Sequence, residues 1–276
     1  MRRLVAAFIA LSFITTAAFA APKADLWPHW QAHDENATAT IDHSAYDAFL
    51  RKYVVAHEHA PNGVRYGDVS AADHTRLKNY IEAMQQVDIA AYNRDVQRAY
   101  WINLYNALTL DRVLDAYPVD SIRDIGGSLI SSGPWKKRYL TIDGEKLSLN
   151  DIEHRILRPI WHDGLTHYGV NCASMSCPDL STQAYTGDNV YTLLRENARD
   201  YVNSPAGVRF DDGELVVSSI YDWYGQDFGG NDRAIISHLR RFADPARSTR
   251  LDMRDTIDDY AYDWALNDEA NMSDDR

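Results

Sequence analysis

The stretch Asn93–Tyr117 constrains the fold most. Its middle, Ala99-Tyr100-Trp101-Ile102-Asn103-Leu104-Tyr105-Asn106-Ala107-Leu108, is apolar on nearly every side, where a surface helix would show a single apolar stripe. A helix of this kind belongs in the centre of a domain, and Pro118 closes it. Two amides interrupt the apolar surround. Asn103 and Asn106 lie three residues apart and share one face. A buried amide without partners costs roughly 1–3 kcal/mol, so both are expected to hold something.

Around this centre the periodicity predicts helices near Asp42–Ala56, Ala71–Val87, Asp188–Asn203 and Asn231–Phe242. Ser70 followed by Asp73 resembles a capping box for the second of these. Arg138–Ile142 and Glu145–Leu149 flank Asp143-Gly144, and Gly207–Phe210 and Leu215–Ser218 flank Asp211-Asp212-Gly213; both read as hairpins. Asn150 with Glu153 opens a short helix, Asp151–Arg158, which Pro159 should stop. Strands and helices do not alternate as in a doubly wound parallel sheet. The pattern implies an α+β fold: one mostly helical domain over residues 41–267, with a small, largely antiparallel sheet and one central buried helix. Residues 21–40 read as an irregular lead-in and 268–276 as a solvated acidic tail.

The beginning of the chain reads as an export signal. Met1-Arg2-Arg3 is basic, Leu4–Ile14 is apolar apart from Ser12, and Ala18-Phe19-Ala20 fits a cleavage site between Ala20 and Ala21. The apolar run is shorter than the roughly 20 residues that span a bilayer, so the expected product is periplasmic or secreted, without membrane insertion after cleavage. Losing 20 of 276 residues leaves 256, with 26 basic against 40 acidic side chains and a net charge of −14. Such a chain would be repelled by nucleic acid.

Chemistry concentrates in His167-Tyr168-Gly169-Val170-Asn171-Cys172-Ala173-Ser174-Met175-Ser176-Cys177-Pro178. Together with Trp101–Leu110, Ser148–His154, Ile156-Leu157-Arg158-Pro159, Trp223-Tyr224, Asp227-Phe228-Gly229 and Tyr262-Asp263-Trp264, this segment resembles the family catalogued as domain of unknown function 547. The resemblance extends in order over roughly Tyr46 to Asn267. It implies a domain of that type, often exported in bacteria and without an established activity. The signature positions it implies include Asn103, Asn106, Glu153, His154, His167, Asn171 and Cys172.

Three readings of the cysteines stay open. Cys172 could be a nucleophile, since a thiol needs only a base or a positive setting to become thiolate. His167 is five residues away, which spans roughly 16 Å in a strand, so direct contact needs a turn. Strand alternation would put Tyr168, Val170 and Cys172 on one apolar face and His167 and Asn171 on the other. His154, beside Glu153 and oriented by Asn103 or Asn106, is the alternative base. A Cys172–Cys177 disulfide is the second reading, closing a short loop for about 2 kcal/mol. A redox-active pair is the third, with four intervening residues where such motifs have two.

Weaker features complete the reading. His57-Glu58-His59 offers two imidazoles without a third ligand nearby, and His154, His162, His167 and the cysteines could form a metal site. Gly126-Gly127-Ser128 and Ser131-Ser132-Gly133 match no phosphate or dinucleotide loop, and no cofactor is expected. Tyr221-Asp222-Trp223-Tyr224 could line a groove for a small-molecule, peptide or glycan ligand. The best-supported expectation is a thiol-dependent hydrolase or acyl/amide transferase of the cell envelope. Cys172 would be nucleophile, His154 or His167 base, and Glu153, Asn103 and Asn106 orienting groups. The rival is a non-catalytic binding or scaffold module with a stapled cysteine loop.

Overall fold

Residues 22–57, 61–126 and 133–272 are described by a computed structural model. The chain opens with an extended segment and a 3-10 turn, Pro28–Gln31, then forms α1 (Ser44–Tyr53), β1 (Val54–Val55), β2 (Gly63–Val64), α2 (Ala71–Met84) and α3 (Arg94–Ala116). Hairpin strands β3 (Arg138–Ile142) and β4 (Glu145–Ser148) lead into α4 (Leu149–Asp151), a π-helical segment (Ile152–Leu157) and α5 (Arg158–Trp161). A 3-10 turn, Gly164–Tyr168, and the cysteine loop precede α6 (Val190–Asn203), β5 (Val208–Asp211), β6 (Glu214–Ser218) and α7 (Ile220–Trp223). The chain continues through α8 (Asp232–Arg240), α9 (Pro245–Asp252), β7 (Asp259–Ala261) and α10 (Glu269–Met272). The fold is α+β and mostly helical. Among the described residues no helix is long and apolar enough to cross a membrane.

The central helix forms as its sequence dictates. Asn93 caps α3 by accepting the Val96 amide, and every residue from Val96 to Asp111 is buried. The larger core cluster surrounds it, with Trp30, Tyr46, Leu77, Ile152 and Leu194 among its members. A second cluster joins Tyr168, Tyr201, Val217, Tyr221 and Leu239. Ser70 caps α2 by accepting the Asp73 amide, but Asp73 does not return the bond: the Ser70 amide is held by the Tyr53 hydroxyl.

Three expectations need correction. The helix around residue 153 is capped by Ser148, whose reciprocal bonds with Asp151 place the start before Asn150. It also runs through Pro159. The Arg158 amide donates to Glu153 O, an i→i+5 bond that widens the turn ahead of the proline. The strand pairing is largely antiparallel, as expected, with one parallel pair: β5 pairs antiparallel with β6 (Val208 opposite Val217), while β7 joins β6 in parallel (Val217 opposite Tyr260). Finally, the ends are anchored. In the lead-in, Trp30 is buried against Trp101 with ring centroids 5.1 Å apart. In the expected tail, Asp268 is buried and accepts the Tyr117 hydroxyl at 2.8 Å, while Glu269 meets His57 at 2.9 Å. These carboxylates find donors inside the fold, so they are not left to solvent.

Candidate functional site

Two buried amides of α3 carry the cysteine loop. Asn106 donates to Gly169 O (2.8 Å) and accepts from the Asn171 amide (2.8 Å), a two-point clamp on the main chain just before Cys172. Asn103 clamps Tyr185 in the same way, at 2.7 and 3.0 Å. Among the described residues neither amide hydrogen-bonds an imidazole, and the orienting role expected of them goes to backbone. Gly169 is needed where the loop crosses α3, because a Cβ there would lie 2.7 Å from Leu194 and 3.0 Å from Ile102. Past Cys172 the chain turns at Ala173, whose φ of 59° is left-handed. Asn171 Oδ1 holds the Ala173 amide at 2.8 Å.

The turn removes the alternation expected of this segment. His167 belongs to a 3-10 turn and is buried, whereas Cys172 keeps partial exposure. Both cysteines are free thiols, which corrects the disulfide and the stapled loop. The loop places the Cys177 sulfur 2.9 Å from the Cys172 amide, which donates to it. The Cys172 sulfur lies 3.1 Å from the Tyr262 hydroxyl and 3.2 Å from that of Ser174, and those hydroxyls are 2.8 Å apart. The Cys172 thiol is held below its ordinary pKa, first by the hydrogen bond from Cys177 and then by Ser174 and Tyr262. Burial and the Glu153 charge work against this lowering. Burial pushes the Cys177 thiol well up. The two thiols are therefore unlike, and Cys172 is the one disposed to ionise.

A second group of residues stands on the π-helical segment and the turn at His167. His167 Nε2 lies 2.7 Å from Asp227 Oδ2, and its ring stacks on Tyr224 at 4.3 Å. A carboxylate only accepts, so Nε2 carries the proton and Nδ1 faces the other way. There Glu153 Oε1 stands 3.8 Å from Nδ1 of both His167 and His154. His154 Nδ1 accepts from Arg158 Nη1 at 3.1 Å, so its lone pair is already engaged. Burial lowers the His154 pKa further. Arg158 also donates from Nε to Asp227 at 2.5 Å and lies over the Tyr224 ring. Burial works to raise Asp227, but the bonds from His167 and Arg158 outweigh it and hold the carboxyl at about 2.

Arg98 of α3 fixes the turn beneath His167. Its fully buried guanidinium meets Asp163 at 2.6 and 2.9 Å and Thr166 at 3.2 Å. Of the residues expected in the site, Glu153, His154 and His167 come together directly. Cys172 is linked to them by the charge of Glu153, which acts on its thiol. No hydrogen bond joins Cys172 to either imidazole among the described residues. Sequence reasoning missed Asp227, Arg158, Tyr224, Tyr262 and Ser174 as site groups. All five lie in the motifs that carried the resemblance, which was the only signal pointing to four of them, while Tyr224 also belongs to the aromatic groove expected from the sequence.

The weaker candidates separate. His162 is exposed and caps α5 in a left-handed conformation, apart from His154 and His167. His57 pairs with Glu269, while Glu58, His59, Gly127, Ser128, Ser131 and Ser132 lie outside the described residues. Among the described residues, His74, Asp111 and Asp115 are spaced to hold a metal ion. Lys78, 2.7 Å from Asp115, and Arg112, 2.8 Å from it, already supply positive charge there. Of the expected aromatic groove, Tyr221, Asp222, Trp223 and Tyr224 line one cavity of about 580 Å³, although Tyr221 is largely buried in the second core cluster and Trp223 packs with Tyr262 and Trp264.

Residues 89–202 match the model of a family described as a protein of unknown function, DUF547. No curated protein and no solved structure matches the chain. The matched stretch carries α3, the π-helical segment, His167 and both cysteines, while Tyr224, Asp227 and Tyr262 lie beyond it.

Proposed function

We propose that this chain, with a DUF547 domain at its centre, is a thiol-dependent hydrolase or acyl/amide transferase. Cys172 is the nucleophile and His167 the base. The observation that carries the reading is the orientation of His167: Asp227 holds Nε2 at 2.7 Å, which leaves Nδ1 as the nitrogen free to take a proton. Two features of the thiol support it. Cys172 is in no disulfide and is partly exposed, and the hydrogen bond from Cys177, followed by those from Ser174 and Tyr262, holds it below its ordinary pKa.

In this scheme the thiolate attacks a carbonyl carbon. The leaving amine or alcohol takes the proton that His167 received from sulfur, and water or an acceptor then releases the acyl group. Tyr262, whose pKa burial raises well above the usual value, stays protonated and donates to the sulfur. Among the described residues no hydrogen bond joins the thiol to an imidazole, so proton transfer needs His167 Nδ1 and the sulfur to approach when an electrophile enters, an alkylating agent as much as a substrate. Glu153 and Arg158 act as positioning residues, the first between the two imidazoles and the second on Asp227.

Alkylation tests this. Cys172 should react with iodoacetamide near neutral pH faster than a free thiol, and Cys177 should stay unlabelled. His167→Ala should slow the reaction. His154→Gln, at a ring whose lone pair Arg158 already holds, should change it far less. A Cys172 rate equal to a free thiol's and unmoved by His167→Ala would overturn the proposal. A non-catalytic binding module is the second reading, favoured by one observation: the His154 and His167 ring nitrogens face carboxylates and a guanidinium, not sulfur.

We also propose that the protein works outside the cytoplasm after loss of residues 1–20. Protein recovered from that compartment should begin at Ala21, and a chain retaining Met1 there would refute this.

A further inference from the structure

Pro159 leaves part of the site-bearing helix unfinished. In a regular helix His154 O would receive the Arg158 amide, and Arg155 O the amide of residue 159. The Arg158 amide goes to Glu153 O instead, and Pro159 has no N–H. Both carbonyls are completed from outside the helix. Asp25 N–H donates to His154 O at 2.9 Å and Trp27 N–H to Arg155 O at 3.0 Å. A third bond runs the other way, from Arg158 Nη1 to Pro22 O at 2.7 Å.

All three bonds read main chain. Amides two residues apart that face one side are the mark of an extended strand, and Trp27 has extended dihedrals. Side chains add Arg155, whose guanidinium lies 4.3 Å from the Trp27 ring centroid with Nε 3.8 Å from the Asp25 carboxylate, and the packing of Trp27 on Trp30 and the main core cluster. Pro22, Lys23 and Ala24 also form one wall of a cavity of about 580 Å³, with Arg158, Tyr224 and Asp227 on other walls. The segment thus lies beside the groups that hold His154 and His167.

We propose that the edge of this cavity carrying the three bonds is a shallow groove that binds an extended peptide, and that residues 22–27, exposed from Pro22 to Leu26, lie across it as an internal occupant that a peptide ligand displaces. The groove offers two acceptors in strand register and a guanidinium aimed at a carbonyl three residues before the first amide. It ends in a cation over an aromatic side chain. Strand-like peptides are recognised in this manner, by main-chain bonds with few side-chain pockets. The proposal rests on main-chain geometry and stands whether or not Cys172 is a nucleophile.

The test uses the hexapeptide Pro-Lys-Ala-Asp-Leu-Trp and an analogue N-methylated at its Asp and Trp. A variant lacking residues 22–27, checked for folding by circular dichroism, should bind the hexapeptide. The analogue should bind about tenfold more weakly or worse, since each methyl removes one donor. The intact chain, its groove filled, should bind the hexapeptide more weakly than the variant does. In the intact chain the Asp25 and Trp27 amides should exchange hydrogen more slowly than those of Ala24 and Leu26, and millimolar hexapeptide should narrow that difference. Equal binding of hexapeptide and analogue, or absence of hexapeptide binding to a folded variant, would overturn the proposal. So would exchange at Asp25 and Trp27 as fast as at their neighbours, a result that needs no variant.

Discussion

Tyr262 is the residue through which the C-terminal part of the chain touches the thiol. Its hydroxyl sits 3.1 Å from the Cys172 sulfur and 2.8 Å from Ser174 Oγ. A donor to sulfur favours the thiolate, so Tyr262→Phe should raise the pH at which Cys172 alkylation is half-maximal. Following the alkylation rate against pH checks this, and a curve that does not move would mean the hydroxyl donates elsewhere. At this scale the sequence was only partly informative. The buried amides of α3 could be read as groups that must hold something, because their neighbours are apolar on all sides. What they hold, the main chain at Gly169, Asn171 and Tyr185, depends on a loop that returns from 63 to 82 residues away. Asp227 could not be paired with His167 from spacing either, since 60 residues separate them.

Among the elements, α3 is the most legible in the sequence and the most consequential for the site. Asn106→Ala would leave Gly169 O and the Asn171 amide without their partner. Stability should fall by about 2 kcal/mol or more, as measured by urea denaturation. The loss should also loosen the Cys172 loop, so alkylation of Cys177 should appear where the intact protein shows none. The helix at Ser148–Trp161 was legible only as a helix. Its start was misplaced because Ser148 and Asp151 form the reciprocal cap. Its end was misplaced because the rule that proline stops a helix assumes no outside donor for the orphaned carbonyls. Asp25 and Trp27 supply those donors. β7 escaped notice because three residues, Asp259–Ala261, show too little alternation to mark a strand.

Over the whole molecule, buried titratable groups set the response to pH. His43 and His238 are each held at about 4, in both cases chiefly by burial. The unfolded chain protonates these rings near 6.5 and the folded chain only near 4, so their stabilisation is complete above about pH 6.5 and is lost as pH falls toward 4. The full effect is on the order of 3 kcal/mol per ring. Asp179 acts in the opposite sense. Burial raises its carboxyl to about 6 from 3.8, so its contribution is lost as pH rises through that interval. Net stability should therefore fall on acidification from 6.5 to 4. Asp179→Asn keeps an acceptor for the Asn62 amide. It should stabilise the protein at pH 7 by about 1–3 kcal/mol and leave it unchanged near pH 3.5. Urea denaturation at the two pH values checks both signs.

The parallel register of β7 on β6 also bears on synthesis. Tyr262 follows β7 directly and reaches Cys172 across 90 residues of chain. A ribosome that has made everything up to residue 258 has produced α3, the His167–Asp227 pair and both sulfurs, yet Cys172 still lacks one of its hydroxyl donors. Synthesis must pass residue 262 before this thiol takes its final electronic state. A nascent or prematurely ended chain therefore carries a less acidic, less reactive sulfur until the last strand docks.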